Sequence, residues 1–237
     1  MAAKVVIAGT GRAGTTLLVQ VLTDLGLDTG FGSDHEIDER VHAGLERGIE
    51  APDAPRIVKN PNLSRRLGTL LDAGRVEIEH VIIPVRDLDV AAASRVRNTK
   101  YGSDLHTFGG LIGTSKATRQ REALALVFYE LLYTVARYDL PHTFLLFPRF
   151  AQDWEYTYEH LSFLDPSIDA ARWQTAIESR VNLSLVREEP LTRSERYKTF
   201  GGTLYTQAIA RPARGLRRAL GGSSERGSDG GSDGGSK

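Results

Sequence analysis

The feature that most constrains this chain is an eight-residue turn, Gly9-Thr10-Gly11-Arg12-Ala13-Gly14-Thr15-Thr16, between an apolar run and a helical stripe. The run before it is Val5-Val6-Ile7-Ala8, and the stripe after it is Leu17, Leu18, Val21, Leu22 and Leu25. Three glycines let successive backbone N–H groups point inward without a Cβ in the way, and the free N–H groups at the helix start add partial positive charge. The spacing from Gly9 to Gly14 satisfies G-x-x-x-x-G-K-[ST] with Thr15 at the lysine position. Gly9, Gly11 and Gly14 also satisfy G-x-G-x-x-G. A plain strand-to-helix turn that binds nothing would use the same glycines. The lysine that reaches the β- and γ-phosphates of a triphosphate is replaced, and the fixed cation of the turn is Arg12. A donor with one phosphate at the bend and a leaving oxygen near Arg12 fits better than a triphosphate.

The rest of the chain repeats the same grammar. Ile57-Val58, Val81-Ile82-Ile83 with Val85, and Phe144-Leu145-Leu146-Phe147 are short apolar runs of the kind that form strands covered on both faces. Between them the spacing predicts helices: Leu67, Leu70 and Leu71, with Ser64 as N-cap and Gly74 as stop, and Leu124 to Val135, ending before Pro141. A further helix is predicted over 169–180, with Asp169 as cap and Trp173, Ala176 and Ile177 inward. Alternating strand and helix predicts βαβ units, hence an α/β fold of the P-loop NTPase-like type, three layers α/β/α around a mainly parallel sheet. Pro84 lacks a ladder donor and is expected near the carboxyl end of its strand. One domain over 1–220 is expected. Residues 221–237 are Gly, Ser and charge, and are expected to form a disordered tail without catalytic role.

A second anion site is predicted after the third strand. Arg86 would emerge at the carboxyl end of the sheet, where open α/β sheets bind ligands, and Ser94 follows eight residues on, about two turns into a helix. A guanidinium and a hydroxyl so placed can grip a separate phosphate by charge-assisted bonds. The alternative is an ordinary Arg86–Asp87 strand-end ion pair with Ser94 on the helix surface.

Taken together, the two segments resemble the donor site of the sulfotransferases that use 3′-phosphoadenosine 5′-phosphosulfate. In that family a turn of the form (K/R)-x-G-T-T holds the 5′-phosphosulfate, and Arg12-Ala13-Gly14-Thr15-Thr16 matches it in full. The family's 3′-phosphate site is commonly R-x-x-x-D-V-A-x-S; Arg86, Asp89-Val90-Ala91 and Ser94 reproduce it with the Asp one place earlier. The run from His142 to Leu164 resembles the family's late strand and helix. The resemblance implies that Gly11, Arg12, Ala13, Gly14, Thr15, Thr16, Arg86 and Ser94 bind the donor, and that Arg12 and Lys59 meet charge on the sulfuryl group and leaving phosphate. Many small-molecule members carry K-T-H after the second strand; here Lys59-Asn60-Pro61 keeps the lysine and lacks the histidine base. Other members use a Glu from the region after the first helix, where this chain offers Asp34, His35, Glu36 and Glu46. Glu46 and Glu36 are the candidate catalytic bases, with His35 third.

The implied activity is transfer of a sulfuryl group to a hydroxyl or amine of a carbohydrate, lipid or secondary metabolite, without a metal. Two other readings stay open: a P-loop kinase using ATP and Mg²⁺ held by Asp87, and a non-catalytic nucleotide-binding module. Composition narrows the partners. With 30 basic and 30 acidic side chains there is no global field to hold nucleic acid. Without cysteine there is no disulfide, thiolate metal site or Cys nucleophile, and the six histidines show no metal-ligand spacing. No run approaches ~18 consecutive apolar residues, so a cytoplasmic protein without stable membrane insertion is expected. Trp154, Tyr156 and Tyr158 read as helix packing or part of an acceptor cleft, and Arg211, Arg214, Arg217 and Arg218 as a solvated or anion-facing basic run. The acceptor loops are expected within 30–50, 98–115 and 185–210.

Overall fold

Side chains alternate across a strand, and in the first strand that alternation separates two cores. The computed structural model describes residues 2–32, 45–99 and 110–182. Four strands, β1 (Lys4–Ile7), β2 (Ile57–Lys59), β3 (Ile78–Val85) and β4 (His142–Leu146), form one sheet in the order β2-β1-β3-β4. All three pairings are parallel. Val5 and Ile7 point into one cluster, and Val6 and Ala8 into the other.

The first cluster is closed by α1 (Thr15–Asp24) together with α5, α6 and α7 (Arg149–Gln152, Trp154–Leu161 and Ala170–Arg180). Leu18, Leu22, Leu161 and Trp173 are its largest fully buried helical side chains. The second is closed by α2 (Leu63–Asp72) and α4 (Gln120–Arg137), through Leu67, Leu70, Leu131 and Val135. Each fully buried Leu or Ile contributes about 1.5–3 kcal/mol of transfer free energy, so both faces are firmly held. α3 (Leu88–Asn98) packs on α4 through Ala91, Ala92 and Leu124. The fold is thus α/β, with an all-parallel sheet and helices on both faces. Among the described residues no helix is long and apolar enough to cross a membrane.

Local chemistry sets the element ends. Asp87, Asp153 and Asp169 cap α3, α6 and α7 by accepting from the N–H groups of Val90, Tyr156 and Arg172. At the other ends, Gly26 after α1 and Gly74 after α2 are left-handed (φ 85° and 61°). In each case the paired 5→2 and 6→1 bonds of a Schellman motif close the helix, as Gly74 N to Leu71 O and Arg75 N to Leu70 O after α2. Gly74 is therefore the expected stop. Ser64, however, is not the N-cap of α2. Asn62 precedes the helix, and Ser64 lies inside its first turn, turned toward the glycine loop.

Pro84 sits one residue from the end of β3, which is an interior strand. Its neighbour on that side is already gone: the β1–β3 ladder ends at Ile7 and Ile82, and Ala8 N donates to Ile82 O. Residue 84 faces the same side as residue 82, so its absent donor points at the start of the Gly9 turn and breaks no ladder bond. β4 departs from the expectation of a strand covered on both faces. It is the last strand of the described sheet, and Leu145 is buried while Phe144 and Leu146, on the opposite face, are 42% and 51% exposed.

Candidate functional site

The order β2-β1-β3-β4 makes the carboxyl ends of β1 and β3 a divergence point. The chain leaving β1 enters α1 on the first face, and the chain leaving β3 runs through α3 and α4 on the second. Such a point opens a crevice between neighbouring strand ends. The turn from Gly9 to Gly14 and the Arg86-Asp87 strand end both lie there, as the sequence predicts.

The turn is held by its carbonyls. Ser64 Oγ donates to Gly9 O at 2.8 Å and accepts from Gly9 N at 2.9 Å. Arg95 donates twice to Thr10 O, from Nη2 at 2.7 Å and Nε at 3.1 Å. Arg86 Nη1 donates to Arg12 O at 2.7 Å, and Gly14 O accepts from Leu18 N in the first turn of α1. In a trans peptide the C=O and the next N–H point opposite ways. Holding these carbonyls from outside therefore turns the N–H groups of Thr10, Gly11, Ala13 and Thr15 in the other direction. Gly11, Arg12 and Gly14 are all left-handed (φ 66°, 58° and 72°), and α1 begins without a side-chain cap or an acidic residue in its first turn. Its first N–H groups have no intrahelical acceptor. The turn thus combines left-handed residues with a bare helix start, the kind of arrangement that can receive an anion.

Two glycines are required by contact as well as by φ. A Cβ on Gly14 would come within 2.7 Å of the Phe147 and Phe150 rings, and one on Gly11 would strike the Arg95 guanidinium. Thr15 and Thr16 are each 8% exposed.

Arg12 joins the two predicted anion sites. Its Nε donates to Ser94 Oγ at 3.0 Å, while its backbone carbonyl receives Arg86. Arg86 also stacks over Phe147, 4.9 Å from the ring centroid to the guanidinium carbon. The sequence suggested two separated grips; the fold makes them one connected network, because α3 brings Ser94 back against the turn. No Arg86–Asp87 ion pair forms: Asp87 serves as the cap of α3.

Lys59, at the carboxyl end of β2, is 4% exposed and lies 3.3 Å from Glu46 Oε1. Burial pushes its ammonium below the usual lysine range; Glu46 opposes that shift, and the Arg12 and Arg95 charges reinforce it. Glu46 follows Leu45, a bulky residue held left-handed at φ 55°, a conformation that costs of order 1–3 kcal/mol and persists where surroundings enforce it. Arg47 N then donates to Lys59 O, which fixes this stretch along the end of β2. Of the candidate bases, Glu46 is thus brought to the site, whereas Asp34, His35 and Glu36 lie outside the described residues. So do the 185–210 loop, the Arg211–Arg218 run and the tail from 221.

Arg95 was not singled out by the sequence reading. It is 4% exposed, and burial, followed by repulsion from Arg12, lowers its guanidinium to about 10. The signal was available: residues 91 and 95 share one helical arc, and an arginine on an arc of alanines is a buried charge seeking acceptors. Trp154, Tyr156 and Tyr158 pack as part-buried residues against the first core, on the packing side of the two readings offered for them. Among the described residues no group of three or more His, Asp or Glu side chains is placed to hold a metal ion.

Set beside family models, curated proteins and solved structures, the chain matches none of them.

Proposed function

We propose that this protein is a sulfotransferase that takes its sulfuryl group from 3′-phosphoadenosine 5′-phosphosulfate. The observation that carries the reading is the single network at the β1/β3 crevice, in which Arg12 of the turn contacts both Arg86 and Ser94. A ribose bearing 3′ and 5′ phosphates presents two anions on one compact ligand, and a connected pair of anion grips suits it.

In this reading the N–H groups of residues 11–16 hold the 5′-phosphate, with Thr15 and Thr16 beside them, and Arg86 and Ser94 hold the 3′-phosphate. Arg12 and Lys59 stabilise charge on the leaving phosphate oxygen. The acceptor hydroxyl or amine attacks sulfur in line, its bond to sulfur forming as the bond from sulfur to the phosphate oxygen breaks. Its proton passes to Glu46, which Lys59 holds at the end of β2. Adenosine 3′,5′-bisphosphate leaves with the electron pair.

The kinase reading would assign Mg²⁺ to Asp87, whose carboxylate caps α3. Calorimetric titration of the whole protein with adenosine 3′,5′-bisphosphate in the presence of EDTA tests the proposal. Micromolar binding that weakens at least tenfold for adenosine 5′-monophosphate is expected. Binding of ATP only with magnesium, indifferent to a 3′-phosphate, would transfer the assignment to a kinase.

A further inference from the structure

We propose that Arg95 is a positioning residue for the anion loop: by holding the Thr10 carbonyl it aims the Gly11 N–H at the bound anion. The inference rests on reading the turn as an anion cradle, and it does not depend on which anion is natural.

Arg95 spends three donors on two carbonyls. Nε and Nη2 converge on Thr10 O at 3.1 and 2.7 Å, and Nη1 donates to Gly110 O at 2.6 Å. Such a fork requires a planar guanidinium; an ammonium is a point donor and cannot span both carbonyls in this geometry. The Thr10–Gly11 peptide is planar, so fixing its oxygen against Arg95 fixes its N–H in the opposite sense. Gly11 has no Cβ because the guanidinium occupies that space. The next residue, Arg12, is left-handed, and it is the residue that contacts Ser94 and Arg86. One buried side chain thus fixes the peptide plane that carries the Gly11 N–H, immediately before Arg12. It also ties the loop to residue 110, where the chain approaches α4: Gln120 pairs with both the N–H and C=O of Ile112.

The groups facing Arg95 are Arg12, which repels it, and Glu46, which attracts it. Its charge therefore also adds to the positive field at the crevice. The test must separate direction from charge.

Amide NMR spectra of the full chain would be recorded during titration with adenosine 3′,5′-bisphosphate and, separately, inorganic pyrophosphate. In the wild type, saturable shifts at Gly11 and Ala13 are expected. Arg95→Ala should weaken binding at least thirtyfold and abolish the Gly11 shift, and tens of millimolar guanidinium ion should restore both. Arg95→Lys, which keeps the charge but not the fork, should remain folded by circular dichroism and bind at least tenfold more weakly. Wild-type affinity in Arg95→Lys would overturn the positioning role, as would a folded Arg95→Ala that guanidinium cannot rescue. If Arg95→Ala does not fold, Arg95→Lys decides alone. Binding of pyrophosphate without the bisphosphate would sink the donor assignment while leaving Arg95 to be judged on pyrophosphate. A wild type that binds neither would sink both.

Discussion

At the scale of single residues, the site combines features that cost stability with contacts that offset the cost. Arg12 is left-handed, which costs about 1–2 kcal/mol for a residue with a Cβ, and it donates a charge-assisted bond to Ser94 worth about 1.5–3 kcal/mol, less for its part exposure. Arg12→Gly removes both terms, which have opposite signs. Urea unfolding should therefore place the variant within about 1 kcal/mol of wild type, while affinity for adenosine 3′,5′-bisphosphate falls at least tenfold. A large loss of stability with unchanged affinity would make Arg12 a structural residue. Lys59 supplies a second test. Its ammonium titrates below the usual value of 10.5 because it is buried, and a bound anion would raise that value. Binding must then take up protons as pH rises through the free-protein value, so affinity should fall across the alkaline range and fall less steeply in Lys59→Met, where Arg95 alone of the two buried cations still titrates. The sign for stability is the reverse. Between the depressed folded value and the unfolded one, the unfolded chain binds more protons, so the Lys59 contribution to stability rises with pH.

At the scale of elements, much was legible because the signals were local. Asp169 as a cap, Gly74 as a stop and the stripe from Leu124 to Val135 each state their role within a few residues. Ser64 was misread because a serine near a helix start has two uses, and the choice depends on Gly9, 55 residues away. Arg95 was overlooked for the same reason: its acceptor Thr10 is 85 residues distant. The two glycine classes give a direct comparison. Gly74 is left-handed with open space around a built Cβ, and it lies before β3, at the far end of the sheet from the crevice. Gly74→Ala should cost about 1–2 kcal/mol by conformation alone and leave anion binding untouched. Gly14 is left-handed and also packed against two phenylalanine rings. Gly14→Ala adds overpacking of about 1–3 kcal/mol and displaces the amides of the α1 start, so stability and affinity should fall together. Parallel denaturation and calorimetry on the two variants would check it.

At the scale of the whole molecule, the parallel order β2-β1-β3-β4 collects residues that the sequence scatters: Arg12 after β1, Glu46 and Lys59 at the end of β2, Arg86 after β3, and Ser94 and Arg95 on α3. No spacing rule links position 46 to position 12; the link exists because both flank β2 and β1, which pair directly through Ile7 and Lys59. Those strand ends bring cationic groups from three neighbouring strand connections together, and among the described residues Glu46 is the carboxylate that offsets Lys59 and Arg95. A carboxylate in that position has two possible uses. As a counter-ion alone it would stabilise Lys59, and Glu46→Gln would alter binding of the anionic donor, strengthening it as a negative charge is removed. As the base it would act on the acceptor's proton, a role worth roughly 10²–10⁴-fold in rate. Glu46→Gln is expected to bind adenosine 3′,5′-bisphosphate at least as tightly as wild type while losing about 10²-fold or more in turnover of labelled donor with a competent acceptor. Lys59 should be easier to deprotonate in that variant, since a group that raises its value is gone. Unchanged turnover in Glu46→Gln would confine Glu46 to charge balance and send the search for the base to Glu36 and His35.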